Sequence, residues 1–445
     1  MSSGSNKLLR AFGVAFGLAA VVGSVVGQGI LRTPGVVAEA TASPAVIMAI
    51  WIAGAVVAII SAFAFAELGA AIPRAGGAYA FIYRAFGERV GVLAAFMLLL
   101  SYIGNTSLLA FVTGEFLTRL GIGGGVLSPT AMGIGLIILF TVVNALGTRT
   151  TGSAQIMISA AKGMFLVGLV VALFGGPAAA VVPAAETQIL RAGWLPIATA
   201  MLLVIGTYSG WWDVVFYGEE FKDPAREIPR ALFGGILGVA GLYLLVNLAM
   251  LHVMTPDQMA GSNFVAADAA GVVFGERANY LLTIFGIVSV GAIGNLSLMT
   301  ATRLVYALAR AEILPRAMTK IDKRGTPIRA LLFSAVVAAV IILVGGYNEL
   351  VSMGVSLFQG VTVLAIVAVI GLRKREPELE RPFKTPWYPW PILFAALLNT
   401  LLLVIFIAQD VEYSLSGFVV VGVAWVLYVF VLRRRALLEP IEEDR

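Results

Sequence analysis

The 445-residue sequence contains no cysteine and a single histidine, His252. These shortages exclude disulfide bonds, catalysis by a thiolate and zinc sites built from cysteine and histidine. Haem ligation by a pair of histidines is excluded as well. Metal-dependent and redox enzymes are therefore poor candidates, and we expect neither a metal ion nor a cofactor.

Charged residues are also scarce, at 12% of the chain against about 25% in a typical soluble domain. Hydrophobic residues make up 60%, so the composition indicates an integral membrane protein. The formal net charge is +5, but the basic residues lie in short loops between apolar stretches. This distribution is typical of a cytoplasmic membrane face, and a nucleic-acid partner is not expected.

A helix needs about 20 apolar residues to cross the bilayer core, and the sequence predicts twelve spans. They cover roughly residues 13–39, 44–72, 88–119, 128–147, 154–176, 194–221, 230–253, 278–307, 329–345, 349–371, 389–408 and 414–432. Residues 1–10 carry only two positive charges and no small-residue cleavage pattern follows a short apolar core, so we interpret span 1 as a retained first helix and not as a signal peptide. An even number of spans places both termini on one side of the membrane.

The positions of the basic residues predict the orientation of the chain. With both termini in the cytoplasm, all but five of the 30 basic residues lie on the cytoplasmic side, as the positive-inside rule requires. The exceptions are Arg32 and Lys162 within spans, and Arg119, Arg191 and Arg277 in outer loops. We therefore expect a multi-pass protein of a plasma membrane, the bacterial inner membrane, with residues 433–445 as a cytoplasmic tail.

The predicted spans repeat along the chain. Spans 1 to 5 precede spans 6 to 10 by about 180 to 200 residues, and a final pair follows. Because five is odd, the second block has the opposite topology to the first, which is the inverted-repeat plan of many secondary transporters. The predicted fold is an all-α integral membrane protein with repeats at 11–176 and 194–371 and a helix pair at 389–432.

The first span of each block is interrupted by glycine and polar residues near its middle. Span 1 contains Gly27, Gln28 and Gly29, and span 6 contains the stretch from Gly206 to Gly210. Interior glycine disfavours a helix by about 1 kcal/mol against alanine, and a break at mid-membrane frees backbone groups that lipid cannot satisfy. Such breaks are expected to line a cavity, although close packing of helices at glycine is the simpler alternative.

The freed backbone groups suit the two ends of an α-amino acid. Amides at the start of the outer half of span 1 carry a partial positive charge for a carboxylate, and carbonyls of span 6 suit an ammonium group. The predicted substrate-binding residues are Gly27, Gln28, Gly29, Ile30, Asn105, Gly206, Thr207, Tyr208, Ser209, Gly210, Trp211 and Asn295.

Several motifs resemble those of the amino acid/polyamine/organocation superfamily, and within it the bacterial relatives of the L-type amino acid transporters. They are Gly27-Gln-Gly-Ile30 with Thr33-Pro34, Ala66-Glu-Leu-Gly69 with Ile72-Pro-Arg-Ala-Gly-Gly77, Tyr208-Ser-Gly-Trp211, Gly218-Glu-Glu220, and Asp223-Pro-Ala-Arg-Glu-Ile-Pro229. The resemblance implies a leucine-transporter-like fold with helices 1 and 6 broken, substrate between them, and alternating access.

Two features differ from what the resemblance implies. L-type relatives often place an aromatic gate just before the Tyr208 motif, whereas this chain has Gly206 there, which leaves room for a bulkier substrate side chain. A disulfide-linked heavy chain is impossible without cysteine.

Lys162 lies nearest the centre of a predicted span, where a lysine costs about 2.5 to 3.5 kcal/mol to insert. In some relatives a lysine of span 5 takes the place of a sodium ion and joins helix 5 to helix 1. We hypothesise that Lys162 is a coupling residue that bonds to carbonyls at Gly27 or its neighbours, either carrying a proton or acting as a structural tether.

Other polar residues within the spans have open roles. We interpret Asp213 as the N-cap of the inner half of span 6, with cation or proton coordination as the alternative. Arg32 attracts an anionic substrate from outside, or it snorkels to the membrane surface or pairs with an acid. Tyr102, Asn105, Asn295 and Ser297 are candidates to line the binding cavity, or they are polar residues satisfied between packed helices.

We expect a transporter of neutral amino acids that works as a sodium-independent exchanger or a proton symporter. A transporter of polyamines or cationic amino acids is the alternative, but such substrates need anionic partners near the breaks, and Asp213 is the one acidic residue there. A channel lacks a continuous polar stripe, and an enzyme lacks a catalytic constellation. The carried amino acid, the direction of transport and the oligomeric state remain open.

Overall fold

The computed structural model describes residues 8–27, 29–123, 126–179, 194–262, 264–344 and 347–432. Three predicted features lie outside these residues: Gln28, residues 1–7 of the N-terminal segment, and the C-terminal segment 433–445.

Within the described ranges the chain is helical, apart from two isolated β-bridges. The helices are α1 Val14–Val25, α2 Gly29–Ala40, α3 Pro44–Ala71, α4 Ala78–Phe86, α5 Glu88–Arg119, α6 Pro129–Ala145, α7 Thr148–Phe174, α8 Trp194–Thr207, α9 Pro224–Val253, α10 Pro256–Ala260, α11 Val265–Phe274, α12 Arg277–Arg310, α13 Ile328–Val344, α14 Tyr347–Arg375, α15 Trp390–Gln409 and α16 Val411–Leu427. Short 3₁₀ helices follow at Trp211–Phe216, Gly218–Glu220 and Arg316–Thr319, and a π-helical turn at Tyr428–Leu432.

Nine helical segments of the described chain are long and apolar enough to cross a membrane. The pair α1 and α2, bent by 48° at the break between them, forms a tenth candidate. Both α6 and α13 are apolar but have 17 residues each. The prediction of a multi-pass helical membrane protein is therefore confirmed.

Two helices begin earlier than their predicted spans. Helix α7 begins at Thr148 and not near residue 154, and α9 begins at Pro224 and not near residue 230. The predicted limits followed the apolar core, but a helix continues through polar residues once its backbone bonds are established. Proline in the first turn of α9 does not interfere, because a first-turn amide has no helical acceptor in any case.

Side chains cap several of these helices at their N-termini. The Ser43 hydroxyl accepts the Val46 amide at the start of α3, and the Ser128 hydroxyl accepts the Ala131 amide at the start of α6. Thr255 and Gln258 form a reciprocal capping box on α10. These bonds satisfy amides that have no helical partner.

Helices from the two halves of the chain pack against one another. Helix α3 packs on α9, α5 on α12, and α6 on α13, while α1 lies against both α7 and α9. The 3₁₀ helix that follows α8 also contacts α1. The two interrupted segments therefore meet in the interior of the bundle.

Ion pairs hold the polar end of the bundle where basic residues cluster. Glu220 accepts two bonds from Arg303, at 2.9 and 3.0 Å, and both side chains are at most 2% exposed. Glu219 pairs with Arg310 at 2.8 Å. Both arginines lie on α12, so these two ion pairs join the segment after the second break to that helix.

Candidate functional site

The first interrupted segment is the junction of α1 and α2. Helix α1 ends at Val25, and Val26 is extended, with φ −72° and ψ 98°. Gly27 is buried and lies in the bend, and helix α2 begins at Gly29. The first-turn amides of α2, including those of Gly29 and Ile30, have no helical acceptor and face the break.

The side chain of Lys162, on α7, binds carbonyl oxygens at the end of α1. Its ammonium group donates to the carbonyl oxygens of Gly23 at 2.9 Å and Val26 at 3.2 Å, and the side chain is 1% exposed. One helical turn earlier, the Ser159 hydroxyl donates to the Ala19 carbonyl at 2.7 Å. Lys162 thus meets the neighbours of Gly27 and not Gly27 itself, and it joins α7 to the end of α1.

Two further side chains bind carbonyls of the same break. The Tyr243 hydroxyl of α9 donates to the Val25 carbonyl at 2.9 Å, and the Ser289 hydroxyl of α12 donates to the Val26 carbonyl at 2.9 Å. The carbonyls freed at the end of α1 are therefore satisfied by three different helices. Backbone groups that lipid cannot satisfy must be paired inside the protein.

The second interrupted segment follows α8. The helix ends at Thr207, and Gly210 adopts a left-handed conformation with φ +101° before the 3₁₀ helix Trp211–Phe216 begins. A residue with a Cβ atom is strained there. The regular α-helix is therefore interrupted at the glycine that the sequence placed in the break.

The two breaks lie against each other. A Cβ atom on Gly29 would be 2.7 Å from Thr207 Cγ2, and one on Gly210 would be 3.2 Å from Ser24 Cβ. The hydroxyls of Thr33 and Thr207 share a hydrogen bond of 3.0 Å between α2 and α8. Glycine allows this close approach, so the packing role of these glycines and their role in the breaks are compatible.

Asp213 joins both interrupted segments to α5. One carboxylate oxygen accepts from the Ser24 hydroxyl at 2.9 Å, and the other accepts from the Tyr102 hydroxyl at 2.5 Å. The side chain is 6% exposed. The interpretation of Asp213 as an N-cap is wrong, because Gly210 is the N-cap residue and no side chain bonds to that helix end.

Aromatic side chains surround the second break. Tyr208 packs against Trp51 and Tyr243, with ring centroids 6.0 and 5.2 Å apart, and its buried hydroxyl has no partner among the described residues. Trp211 packs edge-on to Phe65 at 5.2 Å. The Tyr208 hydroxyl is thus a polar atom inside an aromatic wall.

The backbone at Gly206 has free space around it. A Cβ atom there would meet nothing within 4 Å. Ser209 is exposed, and with Trp211 it lines a cavity of about 20 Å³ together with polar residues of α3, α14 and α15. This volume suits a single water molecule.

The remaining predicted lining residues divide into two groups. The Asn105 amide donates to the Ser297 hydroxyl at 2.8 Å, on the face of α12 whose Ile293 contacts Gly27. The Asn295 amide oxygen accepts from Asn144 of α6 at 2.8 Å. Residue 295 lies about 200° around the helix from residue 293, so the structure does not bring Asn295 to the breaks.

Arg32 lies on the exposed side of α2. Its guanidinium carbon is 5.8 Å from the centroid of the Phe264 ring, a cation–π contact. The side chain is directed away from the paired breaks, which agrees with a surface role.

A family model for amino acid permeases matches residues 7–431. The chain belongs to the amino acid permease family. It is 27% identical over 407 residues to the serine/threonine exchanger SteT of Bacillus subtilis, which covers 89% of this chain and 91% of that protein. It is 30% identical over 403 residues to the mouse b(0,+)-type amino acid transporter 1, covering 86% and 80% of the two chains. It is 28% identical over 410 residues to the rat large neutral amino acids transporter small subunit 2, covering 86% and 73%.

These matches confirm the resemblance to the amino acid/polyamine/organocation superfamily. The family and the relatives are transporters and not enzymes, so the permease is a membrane transporter whose substrates are amino acids. Without cysteine, it forms no disulfide with a partner chain.

Several residues that organise the breaks of this permease were not predicted from the sequence as part of the site. Ser24, Thr33, Tyr243 and Ser289 all donate to or accept from the interrupted segments. Ser24 and Thr33 lie close to the glycines of the first break in the sequence, so a local pattern could have indicated them. Tyr243 and Ser289 lie in long apolar helices far along the chain, and no local pattern connects them with the first break.

Proposed function

We propose that this permease transports neutral amino acids across the plasma membrane by sodium-independent exchange. The observation that carries the proposal is the contact between the two interrupted segments, with Lys162, Tyr243 and Ser289 occupying the carbonyls of the first break. Since those carbonyls are already bonded, the first break offers its amide end to the substrate. A helix N-terminus of this kind favours a carboxylate.

The two ends of the substrate bind to different breaks. The carboxylate lies at the amides of Gly29 and Ile30, and the ammonium group lies near the carbonyls of Gly206 and Thr207. Discontinuous helices of many transporters bind solutes in this way. The Tyr208 hydroxyl and the Trp51 indole nitrogen, which have no partners among the described residues, are polar groups of the aromatic wall available for a substrate.

A neutral substrate fits the charges at the site better than a cationic one. Both oxygens of Asp213 already accept hydrogen bonds, from the Ser24 and Tyr102 hydroxyls, so a cationic side chain would have to share this carboxylate with two other donors. Two of the relatives are named for neutral substrates, one as a serine/threonine exchanger and one as a transporter of large neutral amino acids.

We also propose twelve spans arranged as two inverted repeats of five helices and a final pair. The repeats are 11–176 and 194–371, the pair is 389–432, and both terminal segments, 1–10 and 433–445, are cytoplasmic. The 17 residues of α6 and of α13 are at the lower limit for a span. Contacts of α3 with α9, α5 with α12 and α6 with α13 support the repeat, because each pair joins equivalent members of the two blocks.

Lys162 couples the conformation of the first break to the position of α7. In this proposal it takes the place of a sodium ion, because a fixed ammonium group already binds the carbonyls that a cation would bind. Transport then needs no sodium. Release of a proton from the same amine is the basis of the alternative mechanism, proton symport.

Exchange is tested with the purified protein in liposomes. We expect uptake of radiolabelled serine or leucine to be stimulated several-fold by unlabelled neutral amino acid inside, with the same rate in sodium and choline buffers. Uptake into empty liposomes that follows an imposed pH gradient would establish proton symport instead. Stronger competition by lysine or putrescine than by leucine would contradict a neutral substrate.

A further inference from the structure

A basic pocket lies between the start of α1 and the start of α7, outside the contact of the two breaks. Its volume is about 320 Å³, and its walls include Phe12, Gly13 and Phe16 on one side and Gly152 and Ser153 on the other. A Cβ atom on Gly152 would be 2.5 Å from the Phe12 ring, so the floor of the pocket is closely packed.

Three cationic side chains line this pocket: Arg10, Arg149 and Lys222. All three are exposed, no acidic residue lines the pocket, and none of the three has an ion pair or hydrogen-bond partner within the described part of the chain. Glu227 lies at the edge of the pocket, near Gly13, and its carboxylate accepts the Asp223 amide.

Several other basic residues at the same end of the bundle are paired with acids. Arg84 pairs with Glu376, Arg303 with Glu220, and Arg310 with Glu219. Three like charges around one concave surface repel one another, and an anion in the pocket relieves that repulsion. The first turn of α7 adds a favourable dipole, because no side chain caps this 27-residue helix at its N-terminus.

The outer face of α7 indicates which kind of anion binds in the pocket. Residues 149, 152, 153 and 156 recur at helical spacing, so they share one face. Ile156 belongs both to the pocket and to the exposed apolar surface that continues through Met157 and Met164, which are 72% and 67% exposed. Arg149 lies about 10 Å along the helix axis from Ile156. Acyl chains that lie along this apolar surface therefore place their phosphate group at Arg149.

We propose that this pocket binds the phosphate headgroup of an anionic phospholipid from the adjoining leaflet. Basic pockets between membrane helices at the cytoplasmic surface bind such headgroups. The bound phosphate contacts the N-terminal segment through Arg10, α7 through Arg149, and the segment after the second break through Lys222. It thereby joins three segments that pack around α1, whichever solute the protein carries.

The test measures lipid binding by the purified full-length protein in a neutral detergent. Short-chain phosphatidylglycerol, short-chain phosphatidylcholine and inorganic phosphate are titrated separately, and the rise in melting temperature reports binding. The pocket variant carries Arg10→Gln, Arg149→Gln and Lys222→Gln. The matched control removes the same charge at exposed positions outside the pocket, with Lys320→Gln, Lys323→Gln and Lys374→Gln.

We expect phosphatidylglycerol to stabilise the wild type and the control at much lower concentration than phosphatidylcholine or phosphate does. Each pocket cation contributes about fivefold to the affinity, so the triple pocket variant binds about a hundredfold more weakly. If the triple variant does not fold, each single substitution is expected to weaken binding about fivefold. Equal binding by the pocket and control variants would overturn the proposal, and equal stabilisation by inorganic phosphate would overturn a lipid as the source of the anion.

Discussion

Replacement of Lys162 by methionine separates the role of the lysine in transport from its role in stability. The substitution keeps a long side chain and removes the two bonds to the carbonyls of Gly23 and Val26. In the variant the Val26 carbonyl still accepts a hydrogen bond from the Ser289 hydroxyl. The Gly23 carbonyl loses its bond from Lys162 and is therefore affected more. A buried carbonyl left without a partner costs about 1 to 3 kcal/mol.

This cost is offset because the variant no longer buries a charged side chain. Inserting a lysine near a helix centre costs about 2.5 to 3.5 kcal/mol, a similar amount. We therefore expect the melting temperature of Lys162→Met to change by only a few degrees. The break, however, loses its two charge-assisted hydrogen bonds from Lys162, each worth about 1.5 to 3 kcal/mol.

A loss of that size shifts the balance between conformations of the break by about ten- to a hundredfold. We expect the initial rate of amino acid exchange in proteoliposomes to fall by at least tenfold. The matched control is Gly163→Ala on the same helix, since a Cβ atom there meets nothing within 4 Å. Exchange by Lys162→Met at the wild-type rate would refute both the tether and the proton-carrier hypotheses.

Two further substitutions test the contact between the breaks and the ion pair beside them. Gly29→Ala places a methyl group 2.7 Å from Thr207, so exchange should fall strongly, while Gly238→Ala, with open space around it, should transport normally. Glu220→Gln leaves its buried arginine partner unpaired, which costs about 3 to 5 kcal/mol and should lower the melting temperature by several degrees. Glu312→Gln breaks the exposed ion pair with Arg316, which is worth at most about 1 kcal/mol. An equal fall in the melting temperatures of the two variants would contradict this reasoning.

Glycine and polar residues made the breaks predictable from the sequence. The bend after Gly27 and the left-handed Gly210 occur where interior glycine predicted an interruption. The depth of Lys162 in its span predicted that its charge needs partners, and the resemblance to relatives with a lysine in span 5 indicated carbonyls of helix 1 as those partners. The sequence located the breaks because each depends on residues within one or two helical turns, whereas the acceptors of Lys162 lie on a distant helix.

Other features of the site depend on distant parts of the chain. The misassignment of Asp213 as a helix cap followed from its position after the break, whereas its bonds go to Ser24 and Tyr102 on other helices. Asn295 was grouped with Ser297 as lining the cavity, yet its amide binds Asn144 on α6. Which side of a buried helix faces a partner is decided by packing when both sides are apolar.

The sequence by itself determined that this protein is a helical membrane transporter, because apolar length, sparse charge and two glycine-rich interruptions are local properties that the bilayer constrains severely. Only the tertiary structure decided which groups bind the backbone freed at the breaks. Tyr243 and Ser289 reach the first break because α9 and α12 pack around α1, and such contacts between distant segments leave no periodic signal along the chain.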